Sequence, residues 1–492
     1  MNQHTMDYEV VIGMEIHAEL RTASKMFCGC AVVDTTVAEP NTAVCPVCVG
    51  LPGAMPVVNQ RAVEQAMMVG LALNCDINAF TSFARKNYFY PDLPKGYQIS
   101  QYDHPIATAG WIEVQPDEGQ PARIGIRRAH MEEDTAKSFH HTTGTRGGGG
   151  YTLIDFNRSG VPLLEIVSEP DMRSVAEAYA YATKIREILR YLGVNTGDME
   201  KGVLRFEANI SIRPRGSETL GTRTEVKNLN SFRALVRSAE YEIQRQIAVV
   251  EAGGTVVQET LGWDEARGVT YSQRGKEHAH DYRYFPEPDL PPLVIDPDWV
   301  EEVRTSLPEL PDAKHARFIR EYGLPINDVR ILVAERALAD YFEAAARAHA
   351  GDAVAISKWI VGELAFLMNR DGVDIGEVKV TPVSLAALVS LVDKGTISQT
   401  SAKDVLGAMF ATGRAPEDIV KEKGLVQISD EEALSQVADE VLAQHPDQVA
   451  AYLEGKENLL QWFMGQVMRA TRGRAQPQTV LGLLREKLEA RR

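Results

Sequence analysis

From Tyr8 to Leu20 the chain alternates side chains without a break, and this pattern constrains the fold more than any other feature. Val10, Ile12, Met14, Ile16, Ala18 and Leu20 share one face, opposite Val11, Gly13, Glu15, His17 and Glu19. A period of two with one apolar face is a half-buried strand. The pattern returns from Val203 to Arg213, where Leu204, Phe206, Ala208, Ile210 and Ile212 are apolar and Arg205, Glu207, Asn209, Ser211 and Arg213 face the other way. Between Arg123 and Ser168 two more strands are expected, joined by a tip from His140 to Gly150 that ends in four glycines.

Helical apolar spacing appears at Ser174 to Leu192 and at Ser231 to Glu251, each opening on a serine suited to N-capping. Seven prolines then fall between residues 286 and 311, where no sheet ladder can continue. Beyond them the pattern is helical, with a second break near Gly407 to Pro416. A chain of 492 residues is too long for one core. The expected class is therefore α+β. A mainly antiparallel β-sheet cradle spans 1–295, an all-α middle domain 296–410, and a small α-helical tail 411–492.

With 44% hydrophobic and 24% charged residues the composition is that of an ordinary globular protein. No apolar run is long enough to cross a membrane, and the first residues lack the basic and apolar stretches of a secretory signal, so a cytoplasmic protein is expected. A net charge of -16 argues against nucleic-acid binding through a global basic field but leaves room for a local patch. One candidate is the stretch from Lys456 to Arg492, with eight basic and three acidic residues, Arg469, Arg472 and Arg474 among the former. A solvated helix face is the commoner explanation of such a run; a phosphate-backbone contact is the other.

Glu15 and His17 lie two apart on one strand, so both leave the same face and can converge on one divalent ion. Taken alone, the pair is better explained as the polar surface of a strand. A second cluster adds weight: His130, Glu132, Glu133 and Asp134, then Asp155, Asn157, Arg158, Glu165 and Glu169 across the glycine-rich tip. If these segments pair as a hairpin, Glu133 and Glu165 face one pocket. Clustered carboxylates repel unless a cation neutralises them, and oxygen ligands suit magnesium. Arg158 offers a planar fork for phosphate oxygens, and Glu207 is a further possible ligand. Neither a P-loop nor a GxGxxG fingerprint is present, so phosphoryl transfer would depend on metal ions and basic clamps.

Cys28, Cys30, Cys45 and Cys48 form CxC and CxxC pairs, whose spacing favours the donor set of a closed, structural zinc site over free core thiols, while Cys75 reads as a core residue. The run from Arg85 to Asp92, with Lys86 and Tyr88, lines a substrate or adenine pocket or else forms an aromatic satellite core. Lys227 ends a strand just before a helix, where an anion site is plausible. No Ser-His-Asp, Ser-Ser-Lys or Cys-His arrangement of a glutaminase is visible.

The stretches VIGMEIHAEL, RKNYFYPDLPKGYQISQYD, HMEEDTAKS, DFNRSGVPLLEIVSEPD and DYRYFPEPDL, with GQVMRATRGRAQPQTVLGLL in the tail, resemble the B subunit of the aspartyl/glutamyl-tRNA(Asn/Gln) amidotransferase over essentially the whole chain. The resemblance implies a cradle similar to glutamine synthetase and a heterotrimer with a glutaminase (A) subunit and a small (C) subunit. It implies ATP-dependent phosphorylation of the side-chain carboxylate of mischarged Glu-tRNA(Gln) or Asp-tRNA(Asn), then amidation by channelled ammonia. A misacylating synthetase is a further implied neighbour. Carried onto this sequence, the family's magnesium ligands fall on Glu15, His17, Glu133 and Glu165. The residues themselves add Arg158 as an expected catalytic group and Lys86, Tyr88, Asn157 and Lys227 as expected ATP contacts. The family's helical and tail domains contact tRNA, which gives the basic tail a function. A noncatalytic, zinc-containing tRNA-binding scaffold is the alternative.

Overall fold

A computed structural model describes residues 8–117, 119–141, 150–275, 282–426, 431–471 and 475–491. The chain divides into two compact units, Met1–Leu310 and Pro311–Arg492.

In the first unit the strands are β1 (Tyr8–Glu19), β2 (Asp76–Ile77), β3 (Phe80–Thr81), β4 (Ala84–Asn87), β5 (Tyr97–Ser100), β6 (Ala107–Val114), β7 (Ala122–Glu133), β8 (Lys137–His141), β9 (Tyr151–Asp155), β10 (Pro162–Ser168), β11 (Leu204–Pro214), β12 (Thr224–Leu229), β13 (Glu259–Asp264), β14 (Val269–Gly275), β15 (Phe285–Pro286) and β16 (Leu293–Val294). Among the described residues twelve of them form one sheet along the path β14-β13-β12-β11-β1-β10-β7-β5-β4-β15, with β6 beside β7 and β2 beside β6. Every pairing in it is antiparallel except β12 with β13. The mainly antiparallel cradle and the α+β class are as the alternation implied.

β1 lies between β10 and β11, with His17 opposite Glu165 on one side and Arg205 on the other. Its apolar residues Ile12, Met14, Ile16 and Ala18, with Leu20 just past its end, join the main core, as do Leu204, Phe206, Ala208, Ile210 and Ile212 of β11. Helices α1 (Gln60–Ala72), α2 (Val175–Leu192) and α3 (Phe232–Glu251) supply much of the rest. The two capping serines do what their position predicted. Ser174 accepts from the backbone N–H of Glu177, and Ser231 from that of Ala234. With the apolar face covered, the other face is left to the polar residues.

Among the described residues the segment between Arg123 and Ser168 holds four strands where two were expected. β7 and β10 pair directly, and β8 and β9 make a separate two-stranded ribbon. Most of the tip from His140 to Gly150 lies outside the described residues. After the proline-rich segment, helix α4 (Pro297–Ser306) packs Trp299, Val300 and Val303 against the first unit's core.

The second unit is helical, from Pro311–Tyr322 to Pro477–Glu489, and its described residues form two separate cores. One gathers residues between Phe318 and Val420, the other between Leu434 and Leu488. Among the described residues no helix is long and apolar enough to cross a membrane.

Candidate active site

Alternation along β1, β10 and β11 sends Glu15, His17, Glu165 and Glu207 to the same face of the sheet, where they meet. His17 is the centre. Its Nδ1 lies 3.7 Å from Glu132 and 3.9 Å from Glu165, and its Nε2 3.6 Å from Glu207. Two sets of donor atoms, Glu15 with His17 and Glu207, and His17 with Glu132 and Glu165, each lie within 4.8 Å of one another.

Glu133 does not join them. The pocket that Glu133 and Glu165 were expected to share holds Glu132 instead, and the reason is a β-bulge. On β7, Ile126 and Arg128 oppose the consecutive residues Ser168 and Val167 of β10, so one extra residue enters the strand at Arg127. Before the bulge Ile124 and Ile126 face the core; after it Ala129 and Met131 do. Uninterrupted alternation from Ile126 would put Glu133 on the polar face. The bulge moves it to the core side, where it is ion-paired with Lys95 and accepts a hydrogen bond from the Ile99 amide at 3.0 Å.

Burial and charge set the protonation of the cluster. Burial opposes a charged His17, but contact with Glu132 and the charges of Glu165 and Glu207 carry it up to about 9. Burial raises Glu132, yet His17 and Lys86 outweigh it and hold the carboxyl down at about 2. Glu15 and Glu165 are both raised, first by burial; neighbouring carboxylates raise both further, while His17 and Lys86 oppose the rise at Glu165 and Lys227 at Glu15. His130, 3.5 Å from Glu165, is pushed down to about 3, chiefly by burial. Several carboxylates thus share one face with one imidazole.

Two lysines border it. Lys86 stands 5.1 Å from the Tyr282 ring and 5.9 Å from the Tyr88 ring. Burial opposes its charge, and Glu132 leads the groups that hold it charged nonetheless. Lys227 is 2.9 Å from Glu207 and 3.6 Å from Glu225. Tyr88, Tyr282 and Tyr284 make successive edge contacts, and Tyr284 stacks on Tyr102 at 4.1 Å. Arg158 is turned to the backbone, donating to the carbonyls of Thr135 and Ala136 at 2.9 Å, with Asp134 3.8 Å away. Asn157 is fully buried outside the carboxylate group, bonded to Ala43 and Glu39. A second group was not anticipated. Arg205 pairs with Asp134 at 2.9 Å, and Glu19 is raised to about 8, first by burial and then by Asp134. Its signal was present in the sequence, since Glu19 and Arg205 continue the polar faces already drawn.

The donors fit a divalent ion. Each triad keeps one donor atom of every residue within 4.8 Å of the others, so small side-chain shifts bring them to the separations of about 3–4 Å in an octahedral magnesium shell. Buried Glu132 Oε2 and His17 Nε2 make no hydrogen bond among the described residues, so each has a lone pair or proton to offer. The four cysteines fit zinc in the same way. All four sulfurs lie within 4.8 Å of one another. Cys45 and Cys48 are 3.9 Å apart, against about 3.8 Å for the edge of a zinc–thiolate tetrahedron. Cys75 belongs to the core. In the tail Arg469 is exposed at the end of a helix, while Arg472 and Arg474 lie outside the described residues.

Known sequences resemble this one closely. A family model described as the GatB/GatE catalytic domain matches residues 10–301, and one described as the GatB domain matches residues 340–488. The B subunit of the aspartyl/glutamyl-tRNA(Asn/Gln) amidotransferase of Moorella thermoacetica is 56% identical over 483 residues, covering 98% of this chain and 100% of that one. Proteins of the same name from Carboxydothermus hydrogenoformans and a Thermoanaerobacter species are 51% and 52% identical, each over 98% of this chain and 99% and 100% of their own length.

Proposed function

Because the chain belongs to the GatB family of amidotransferase subunits, we propose that it performs the ATP-dependent half of a tRNA-linked amidation. The observation that carries this reading is the convergence of Glu15, Glu132, Glu165 and Glu207 on His17, bordered by Lys86 and Lys227. Such a face repels an anionic substrate until cations neutralise it, and phosphoryl transfer without a P-loop depends on that neutralisation. The carboxylates and His17 would hold magnesium, which when bound supplies charge compensation for phosphate oxygens.

The reaction is then a sequence of two displacements. A side-chain carboxylate oxygen of Glu-tRNA(Gln) or Asp-tRNA(Asn) attacks the γ-phosphorus of ATP. An O–P bond forms, the β–γ bridge breaks, and ADP leaves. Ammonia, supplied by a glutaminase partner held together with a third, small protein in the heterotrimer, attacks the acyl carbon. The C–N bond forms, a proton leaves nitrogen, and inorganic phosphate departs. Lys86 and Lys227 contribute fixed positive charge beside the transferring group, and the tyrosines wall the site. Arg158 orders the Thr135–Ala136 backbone next to Asp134 rather than reaching substrate in this arrangement. The four-cysteine centre, with all ligands supplied by protein, is structural zinc. The basic tail, Arg469, Arg472 and Arg474, contacts tRNA.

The test is ATP consumption that depends on mischarged tRNA. Glu165→Gln replaces a carboxylate ligand by an amide with little change in volume and is expected to abolish ADP release while the partner's glutamine hydrolysis persists. Unchanged ADP release would remove the basis of the reading.

A further inference from the structure

Lys25 is wholly inaccessible to solvent and ranks among the largest fully buried side chains. Lysine is almost never buried in this way unless it is paired. Among the described residues its Nζ makes one hydrogen bond, to the Phe156 carbonyl at 3.3 Å, and no ion pair with a carboxylate. A neutral carbonyl does not offset the loss of hydration of an ammonium.

Beside it stands the four-cysteine group. A Cβ placed at Gly160 would lie 3.3 Å from Cys48 Cβ and 3.6 Å from Lys25 Cδ, so the two side chains flank the same glycine. The Lys25 amide donates to the Cys30 carbonyl at 2.9 Å, the Met26 amide donates to the Gly160 carbonyl at 2.7 Å, and Ser159 Oγ donates to the Cys48 carbonyl at 2.7 Å. Lys25 is therefore built into the same small structure as the sulfurs. Four thiols carry no charge, whereas four thiolates around Zn²⁺ carry a net charge of about -2.

We propose that the Lys25 ammonium is the buried counter-charge of a tetrathiolate zinc centre at Cys28, Cys30, Cys45 and Cys48, so that metal and lysine stabilise one another. This rests on the structural-zinc reading above. The pairing reaches beyond the centre. Phe156, Ser159 and Gly160 belong to the turn that enters β10, the strand carrying Glu165. The metal centre thereby helps to fix the entry of that strand.

The experiment compares Lys25→Met in two backgrounds of the full chain. With all four cysteines present, Lys25→Met is expected to release zinc to a chelator about tenfold faster, the scale of lost outer-shell support. In Cys28→Ser/Cys45→Ser, which cannot complete the centre, the same change is expected to raise the melting temperature, because it removes an uncompensated charge. Should the serine pair not fold, the chelator-stripped full chain supplies the zinc-free comparison. A residue that merely fills space would shift stability in the same direction in both backgrounds. Unchanged zinc release, or a lower melting temperature in the zinc-free background, overturns the proposal. Metal analysis of the unsubstituted chain separates the two readings, because absence of zinc there, even after zinc is added, defeats the zinc assignment itself.

Discussion

Glu132 and Glu133 are neighbours in the chain and opposites in environment, which makes them a sharp pair of probes. Glu132 faces His17 across 3.7 Å on the polar side of the sheet; Glu133 is buried on the core side against Lys95. Glu132→Gln is expected to abolish tRNA-dependent ADP release, because it withdraws a carboxylate oxygen from the cluster around His17. Glu133→Gln breaks a buried pair and strands Lys95, a loss of about 3–5 kcal/mol that denaturant unfolding would record. Unchanged ADP release in Glu132→Gln, or unchanged stability in Glu133→Gln, would contradict the faces described. His17 adds a pH dependence. Its folded value, about 9, lies above the ordinary 6.5. Without divalent ions its stabilising contribution is therefore complete below about pH 6.5 and lost as pH rises through about 9. Magnesium requires the unprotonated ring, so magnesium affinity is expected to strengthen across the same window. Titration calorimetry at several pH values would show it, and a flat profile would remove His17 from the ligands.

At the scale of elements, the strands that place the site are ordinary alternating strands with one interruption. Glu15, His17 and Glu207 were legible because β1 and β11 alternate from end to end. Glu132 was not, because the bulge at Arg127 exchanges the faces of β7 midway, and no residue in that stretch announces it. Where a bulge falls depends on the neighbouring strand, not on local propensity. Helix starts are the contrary case, since a capping serine acts within its own turn. Ser174→Ala and Ser231→Ala are each expected to cost about 1 kcal/mol of stability by thermal or denaturant unfolding. Neither should alter the kinetics of ADP release, because both caps support helices on the covered side of the sheet.

For the molecule as a whole, charge is divided unevenly. The net charge is -16, yet the last residues carry an excess of bases. Part of that excess is neutralised internally, since Lys487 pairs with Asp439 at 2.7 Å and Arg491 lies 3.7 Å from it. Arg469 remains exposed. We propose that the two helical cores correspond to a middle domain and a tRNA-contacting tail. Arg469→Glu is then expected to weaken tRNA binding and flatten its salt dependence, leaving magnesium binding by the first unit unchanged. Filter binding at several salt concentrations would detect this; an identical salt slope would return the tail to a solvated surface.

By itself the sequence determined the α+β class, the two capped helices, the polar face of β1 and β11, and the four-cysteine group. Each of these is written in local periodicity or spacing, which tertiary contacts have only to accept. Tertiary structure alone decided which of two adjacent glutamates enters the site. It also turned Arg158 to the backbone and Asn157 away from the cluster, and it buried Lys25 beside the sulfurs. Those outcomes depend on strand register and on which distant segments share a buried volume, and neither is encoded at any one stretch of chain.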